Sequence, residues 1–219
     1  MPHYVFDART ATPHFPGIGR YVTNLARELV ALLAPDERLT LLYDPAHPLA
    51  LPLSDAVQGL PVNVSPFSVQ QQWVIPHLLR QHKADLYHSA YYLMPYHTGT
   101  PVVLTLYDLI PILFPAHSTL RARLLFRWAT GLALRAAQHC LAISEATRRD
   151  VLAHFRIAPA RVTAIPLAAD PMFAPQPQES VTALRTRLDL PQRFILYLGS
   201  NKPHKNLIRL IEAFARMAE

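Results

Sequence analysis

One cysteine in 219 residues removes several explanations at once. Cys140 cannot form a disulfide within the chain, and no four-cysteine zinc site can be assembled, which fits a reducing compartment. No metal is expected. No stretch approaches the roughly 18 apolar residues that span a bilayer, and the opening residues MPHYVFDART carry neither a basic nor an apolar leader region. A cytoplasmic protein is expected, with peripheral contact at the inner face of the membrane left open. Three signatures are also missing. No G-x-G-x-x-G follows the first apolar stretch, which disfavours a Rossmann oxidoreductase. Neither G-x-S-x-G nor G-x-x-x-x-G-K occurs, which removes the corresponding hydrolase and P-loop readings.

What is present is a globular composition, 51% apolar, long enough for one large domain or one domain and part of another. The net charge of +6 is unevenly placed. Residues 118–161 hold eight arginines, at 121, 123, 127, 135, 148, 149, 156 and 161, against Glu145 and Asp150, which accounts for the whole excess. Such a field attracts polyanions, and the candidate partners are anionic lipid or a phosphorylated substrate rather than nucleic acid. Solvated helix faces are the plainer reading.

Periodicity divides the chain into alternating strands and helices. Tyr4–Phe6 is a short strand, and a turn-rich segment leads from it to Gly17 and Gly19. Val22, Leu25, Leu29, Leu32 and Leu33 then form a helical stripe from Arg20 that Pro35 stops. The glycines either let backbone approach a ligand at this helix's N-terminus or make an ordinary loop-to-helix turn. Further strands are expected at Leu39–Tyr43, Val62–Val64, Asp85–His88, Val102–Leu106, Cys140–Ile143 and Val162–Ile165. Helices are expected at Gln70–His82, interrupted near Pro76, and at 118–137, with Leu124, Leu125, Trp128 and Leu132 on a core-packed face. Another is expected at Glu145–Phe155, capped by Ser144. Seven alternating strands describe an α/β protein with a doubly wound, Rossmann-like parallel sheet.

Two strand ends carry chemistry. His88 closes its strand ahead of Tyr91, Tyr92 and Tyr96, whose amphipathic rings suit either a sugar-facing loop or packing in a core or interface. Tyr107 and Asp108 follow Val102–Leu106 at its carboxyl end, where α/β sheets place ligands. Asp108 there contacts a substrate or caps a turn.

The Pro-rich segment Pro166–Pro177 reads as an interdomain linker. The expected division is 1–170, 171–190 as linker and helix, and 191–219 as the first strand and helix of a second domain, present only in part. In that last unit Phe194–Leu198 is expected to be a strand buried on both faces. Gly199 ends it, Ser200 to His204 form a polar turn, and Leu207, Leu210, Ile211 and Phe214 recur at helical spacing. Lys205 near a helix start is poorly placed for the dipole unless an anion binds there. Phosphate is the candidate, and a solvated turn the alternative.

The segments DAR at 7–9, GIGRY at 17–21, YDLIP at 107–111, ISEATRRD at 143–150, IPLAAD at 165–170 and the Gly199–Lys205–Asn206 turn resemble, in that order, glycosyltransferase family 4 of the mannosyltransferase type. The resemblance implies a GT-B architecture of two Rossmann-like domains, with acceptor on the first and nucleotide-sugar on the second. It implies transfer of a sugar such as mannose to a glycan or lipid-linked acceptor, with retention, without a metal and with no cofactor, since the nucleotide-sugar is a substrate. Gly17, Gly19 and Arg20 match the glycine loop near the donor, and Gly199, Ser200, Lys202 and Lys205 match the diphosphate turn. Ser200 stands where many relatives carry Arg. Tyr107 and Asp108 match the catalytic His-Asp position, with Tyr107 able to orient but not deprotonate, and His88, Tyr91 and Tyr92 fall on the acceptor side. A chain lacking the family's later donor contacts is expected to be inactive by itself, and a non-catalytic binding domain is the alternative.

Overall fold

Strands rich in Val, Leu and Phe, each followed by an amphipathic segment, leave little choice but a sheet covered by helices. The computed structural model describes residues 1–14, 16–50 and 53–218. Its strands are β1 (His3–Asp7), β2 (Arg38–Tyr43), β3 (Val57–Pro61), β4 (Leu86–Ser89), β5 (Val102–Leu106), β6 (His139–Ala142) and β7 (Val162–Ala164). They form one sheet in the order β3-β2-β1-β4-β5-β6-β7, with every pair parallel. The Rossmann-like reading therefore holds. The helices are α1 (Pro16–Leu32), α2 (Gln71–Gln81), α3 (Ile110–Leu113), α4 (Leu120–Ala136), α5 (Glu145–His154), α6 (Gln178–Arg187) and α7 (Leu207–Ala218).

Two apolar clusters hold the layers together. Phe6, Leu39, Leu41 and Val57 of the sheet pack with Val22 and Ala26 of α1. On the other side Val5, Tyr87, Leu104, Leu106 and Cys140 pack with Ile75 and Leu79 of α2, Phe126, Ala133 and Leu134 of α4 and Val151 of α5. Ser144 caps α5 by accepting from the Thr147 amide at 3.1 Å, as its position predicts.

Several elements differ from the sequence reading. The third strand is Val57–Pro61, not Val62–Val64, and it lies at the sheet edge. Gly59 and Pro61 hide it from a propensity reading, yet an edge strand tolerates both. Helix α2 runs through Pro76, whose ring is buried. Helix α1 begins at Pro16, so both glycines lie in its first turn rather than in a loop before it.

Helix α4 turns its other face inward. Phe126, Ala129, Thr130, Ala133 and Leu134 are its buried residues, while Leu124, Leu125 and Trp128 are exposed. The helix carries apolar residues on its outer as well as its inner side, with arginines among the outer ones, and the stripe holding Ala129 and Ala133 is the one that can lie close to the sheet.

Among the described residues, those beyond β7 add nothing to either cluster. Phe194–Leu198 is not a strand: it pairs with no neighbour among the described residues, and Leu198 is 95% exposed. An extended apolar run needs a partner strand to become a ladder. Helix α7 starts at Leu207, after Asn206 in the left-handed conformation at φ 56°, a position Asn tolerates.

Candidate active-site cleft

The carboxyl ends of the parallel strands release three segments into one region: the loop from β1 into α1, residues 90–96 after β4, and Tyr107–Pro111 after β5. A cavity of about 580 Å³ lies between them, and Ser200, Lys202 and Lys205 of the C-terminal segment line it too. Of the residues singled out from sequence, Gly17, Tyr91, Tyr92, Tyr107, Asp108, Ser200, Lys202 and Lys205 meet in this cleft.

Each wall has a physical reason. A Cβ placed on Gly17 would meet nothing within 4 Å, so this glycine simply leaves the helix N-terminus open to the cavity. Gly19 serves packing instead: a Cβ there would sit 3.0 Å from the Thr12 carbonyl oxygen. Arg20 is not among the residues lining the cleft; its Nη1 lies 3.7 Å from the Asp170 carboxylate, which also accepts from Asn24 Nδ2 at 3.3 Å. The start of the linker is thereby tied to α1. Gly199 lies under its neighbour Tyr197, whose hydroxyl donates to the Ser200 carbonyl at 2.9 Å.

The aromatic wall is a chain of rings. Tyr91 and Tyr92 lie 4.6 Å apart, Tyr92 meets Phe126 edge-on at 4.8 Å, and Phe67 meets Tyr91 at 6.2 Å. Burial pushes the Tyr91 and Tyr92 hydroxyls up, so both stay protonated at neutral pH.

Tyr107 is fixed from two sides. Its carbonyl accepts from Thr147 Oγ1 at 2.9 Å, and its ring stands at 89° to Tyr21, 5.4 Å away. Its hydroxyl is buried and, among the described residues, has no hydrogen-bond partner. Burial, with Tyr21 and Tyr91 nearby, pushes it well above the usual phenol value, so it can donate but cannot act as a base. Asp108 is exposed, and its Oδ1 accepts from the Ile110 amide at 2.9 Å, closing the turn into α3. The turn-capping bond therefore exists, and Asp108 also lines the cavity.

His88 does not join the cleft. It pairs in register with Phe6 of β1 and lines a separate cavity of about 350 Å³ with Tyr4, Leu29 and Leu33. Strand alternation sends it to the α1 side of the sheet. Its Nε2 lies 2.8 Å from Thr105 Oγ1, and Thr105 does line the cleft, so His88 stands one layer behind the floor. Burial lowers its pKa to about 4 despite Asp7, which leaves it neutral at pH 7. His14, Thr105 and Ile110 are cleft residues that sequence reasoning passed over. Thr105 was readable as the residue two before Tyr107 on the same strand face.

A parallel Rossmann-like sheet with an aromatic-walled cavity at its carboxyl edge is the arrangement in which α/β proteins place ligands. The model of Glycosyltransferase Family 4 matches residues 16–173, well over half the sequence, and the chain belongs to that family. The structure of Anabaena Alr3699/HepE in complex with UDP and glucose is similar, with a TM-score of 0.63 at 18% identity, over 99% of this chain and 58% of that one. A second structure of HepE, in complex with UDP-glucose, gives 0.58 at 17% identity, over 89% and 51%. At these identities the likeness is one of fold, that of the GT-B glycosyltransferases. The chain thus spans little more than half the length of this relative. No curated protein matches the sequence.

Proposed function

We propose that this chain is the acceptor-side domain and the start of the donor-side domain of a glycosyltransferase that moves a sugar, such as mannose, from a nucleotide-sugar to a glycan or lipid-linked acceptor. The observation that carries the reading is the meeting of Lys202 and Lys205 with Tyr107 and Asp108 in one cleft. The lysines, with the open N-terminus of α1 at Gly17, suit a diphosphate, whose growing negative charge on departure they would neutralise. The Tyr91–Tyr92 wall suits a sugar ring, and the protonated Tyr107 hydroxyl can donate to donor or acceptor without removing a proton. Retention at the anomeric carbon and a reaction without metal belong to the same reading.

In this scheme residues 1–170 hold the acceptor, 171–190 connect, and the segment from 191 onward begins the donor-binding domain. The exposed apolar stripe of Leu210, Ile211 and Phe214 on α7 supports that division, because such a stripe belongs against a sheet. Donor-side contacts beyond this segment complete the site, so residues 1–219 alone would not turn over.

The test is transfer of radiolabel by the full-length protein from a panel of nucleotide-sugars to lipid and glycan fractions. Labelled product from one donor is expected. Acceptor binding with no transfer from any donor would favour a non-catalytic binding domain instead.

A further inference from the structure

Helix α4 shows an apolar face to solvent. Leu120, Leu124 and Trp128 recur every fourth residue, so they stack along one side, and they are 59%, 56% and 63% exposed. Leu125 beside them is 61% exposed. Arg121, Arg127 and Arg135 lie exposed on the same half of the helix, and no acidic residue occurs between Leu120 and Ala136. Among the described residues none of these three arginines has a carboxylate partner. The inward stripe is complete without them, so the outer one is surplus to the fold.

From this surface we infer that the outer face of α4 docks on an anionic lipid bilayer. Leucines and an indole flanked by guanidinium groups match the acyl boundary and the phosphate layer of such a membrane. Charge decides among occupants. A second copy meeting this face across a two-fold axis would bring the same arginines together, and a polyanion such as RNA gives the leucine stripe no apolar surface. The surface is also narrower than the basic region as a whole. Arg148 Nε donates to the Val162 carbonyl at 2.9 Å, Arg161 Nη2 to those of Leu134 and Ala137, and Arg127 Nη2 to that of His154 at 3.4 Å with its guanidinium over the Phe155 ring, so these three serve the fold and leave Arg121 and Arg135 to the surface.

Phe126, on the inward side of the same helix, lines the cleft, so a membrane held on the outer face would lie about one helix diameter from it, within reach of a lipid-linked acceptor. That consequence rests on the transferase reading, whereas the docking itself does not.

The experiment is co-sedimentation of the chain, without any nucleotide-sugar, with vesicles of phosphatidylcholine alone or mixed with phosphatidylglycerol. Trp128 emission is followed in a Trp73→Phe background. Binding at least about tenfold tighter to anionic vesicles is expected, with a blue shift of Trp128 and release by high salt. Leu124→Ser with Trp128→Ser, and separately Arg121→Gln with Arg135→Gln, should each weaken it by about tenfold or more while circular dichroism stays unchanged. No binding to anionic vesicles, or binding that neither pair of substitutions alters, would overturn the inference. So would a concentration-dependent dimer that Trp128→Ser converts to monomer.

Discussion

Arg9 folds back on Asp7: its Nε donates to Oδ1 at 2.8 Å and its Nη2 to Oδ2 at 2.6 Å, with Arg9 only 2% exposed. The same guanidinium donates to the Val64 carbonyl at 2.7 Å and to Gln71 Oε1 at 3.2 Å, and the Tyr87 hydroxyl donates to Asp7 Oδ2 at 2.6 Å. One buried ion pair therefore ties the end of β1 to α2, to β4 and to the segment after β3. Burial alone would raise the Asp7 carboxyl, but Arg9 and Tyr87 hold it below the ordinary value.

Breaking that pair from one side should be costly. Arg9→Met leaves a buried carboxylate without its cation and is expected to lower stability by about 3 to 5 kcal/mol in urea denaturation. Asp7→Asn combined with Arg9→Met should recover part of the loss, because no uncompensated charge remains. Equal losses for the single and double variants would contradict the pairing.

Tyr107→Phe separates stability from function. The hydroxyl is buried without a partner, so removing it should leave the melting temperature unchanged or raise it. Turnover by the full-length enzyme should fall about tenfold to a hundredfold if the hydroxyl donates to substrate. Unchanged turnover would reduce Tyr107 to a packing residue against Tyr21.

Asp108→Asn keeps an oxygen that can accept from the Ile110 amide, so the turn should survive. Turnover should drop with little change in donor affinity, which is the signature of a group acting on the acceptor or in the transition state. Steady-state kinetics within twofold of the parent would leave Asp108 as a turn cap only.

His88 gives a pH signature. Its folded pKa of about 4 lies below the unfolded value near 6.5, so the unfolded chain binds the extra proton between those limits. The stability that neutral His88 contributes is full above pH 6.5 and is lost as pH falls towards 4. Between pH 7 and 5 the parent should lose about 2 kcal/mol more than His88→Gln. Parallel pH profiles from denaturant melts would show that His88 is not desolvated.

The sheet was legible because the strands of a parallel sheet are buried on both faces and read as plain apolar runs. Six of the seven were locatable that way, and β3 was not, since edge position rather than propensity sustains Val57–Pro61. The cleft was legible through strand ends: Tyr107 and Asp108 follow β5 directly. His88 misled because a strand's last residues point alternately to opposite faces, and its number in the strand sends it to the α1 side.

The Asp7–Arg9 network was visible only as the string DAR, since Gln71 and Tyr87 come to it from about 60 and 80 residues away. In α4, apolar residues on two sides left the choice of inner face to side-chain size. Phe194–Leu198 carries a strand sequence, but a strand exists only with a neighbour to pair with.

The most direct measurement is calorimetric titration of the full-length protein, and of Lys205→Ala within it, with UDP-glucose and GDP-mannose. One donor should bind, and Lys205→Ala should weaken it by about 1.5 to 3 kcal/mol, roughly tenfold to 150-fold, as expected for a lost charge-assisted hydrogen bond to phosphate. Donor affinity identical in parent and variant would contradict the placement of the diphosphate at Lys205 and, with it, the account of this cleft.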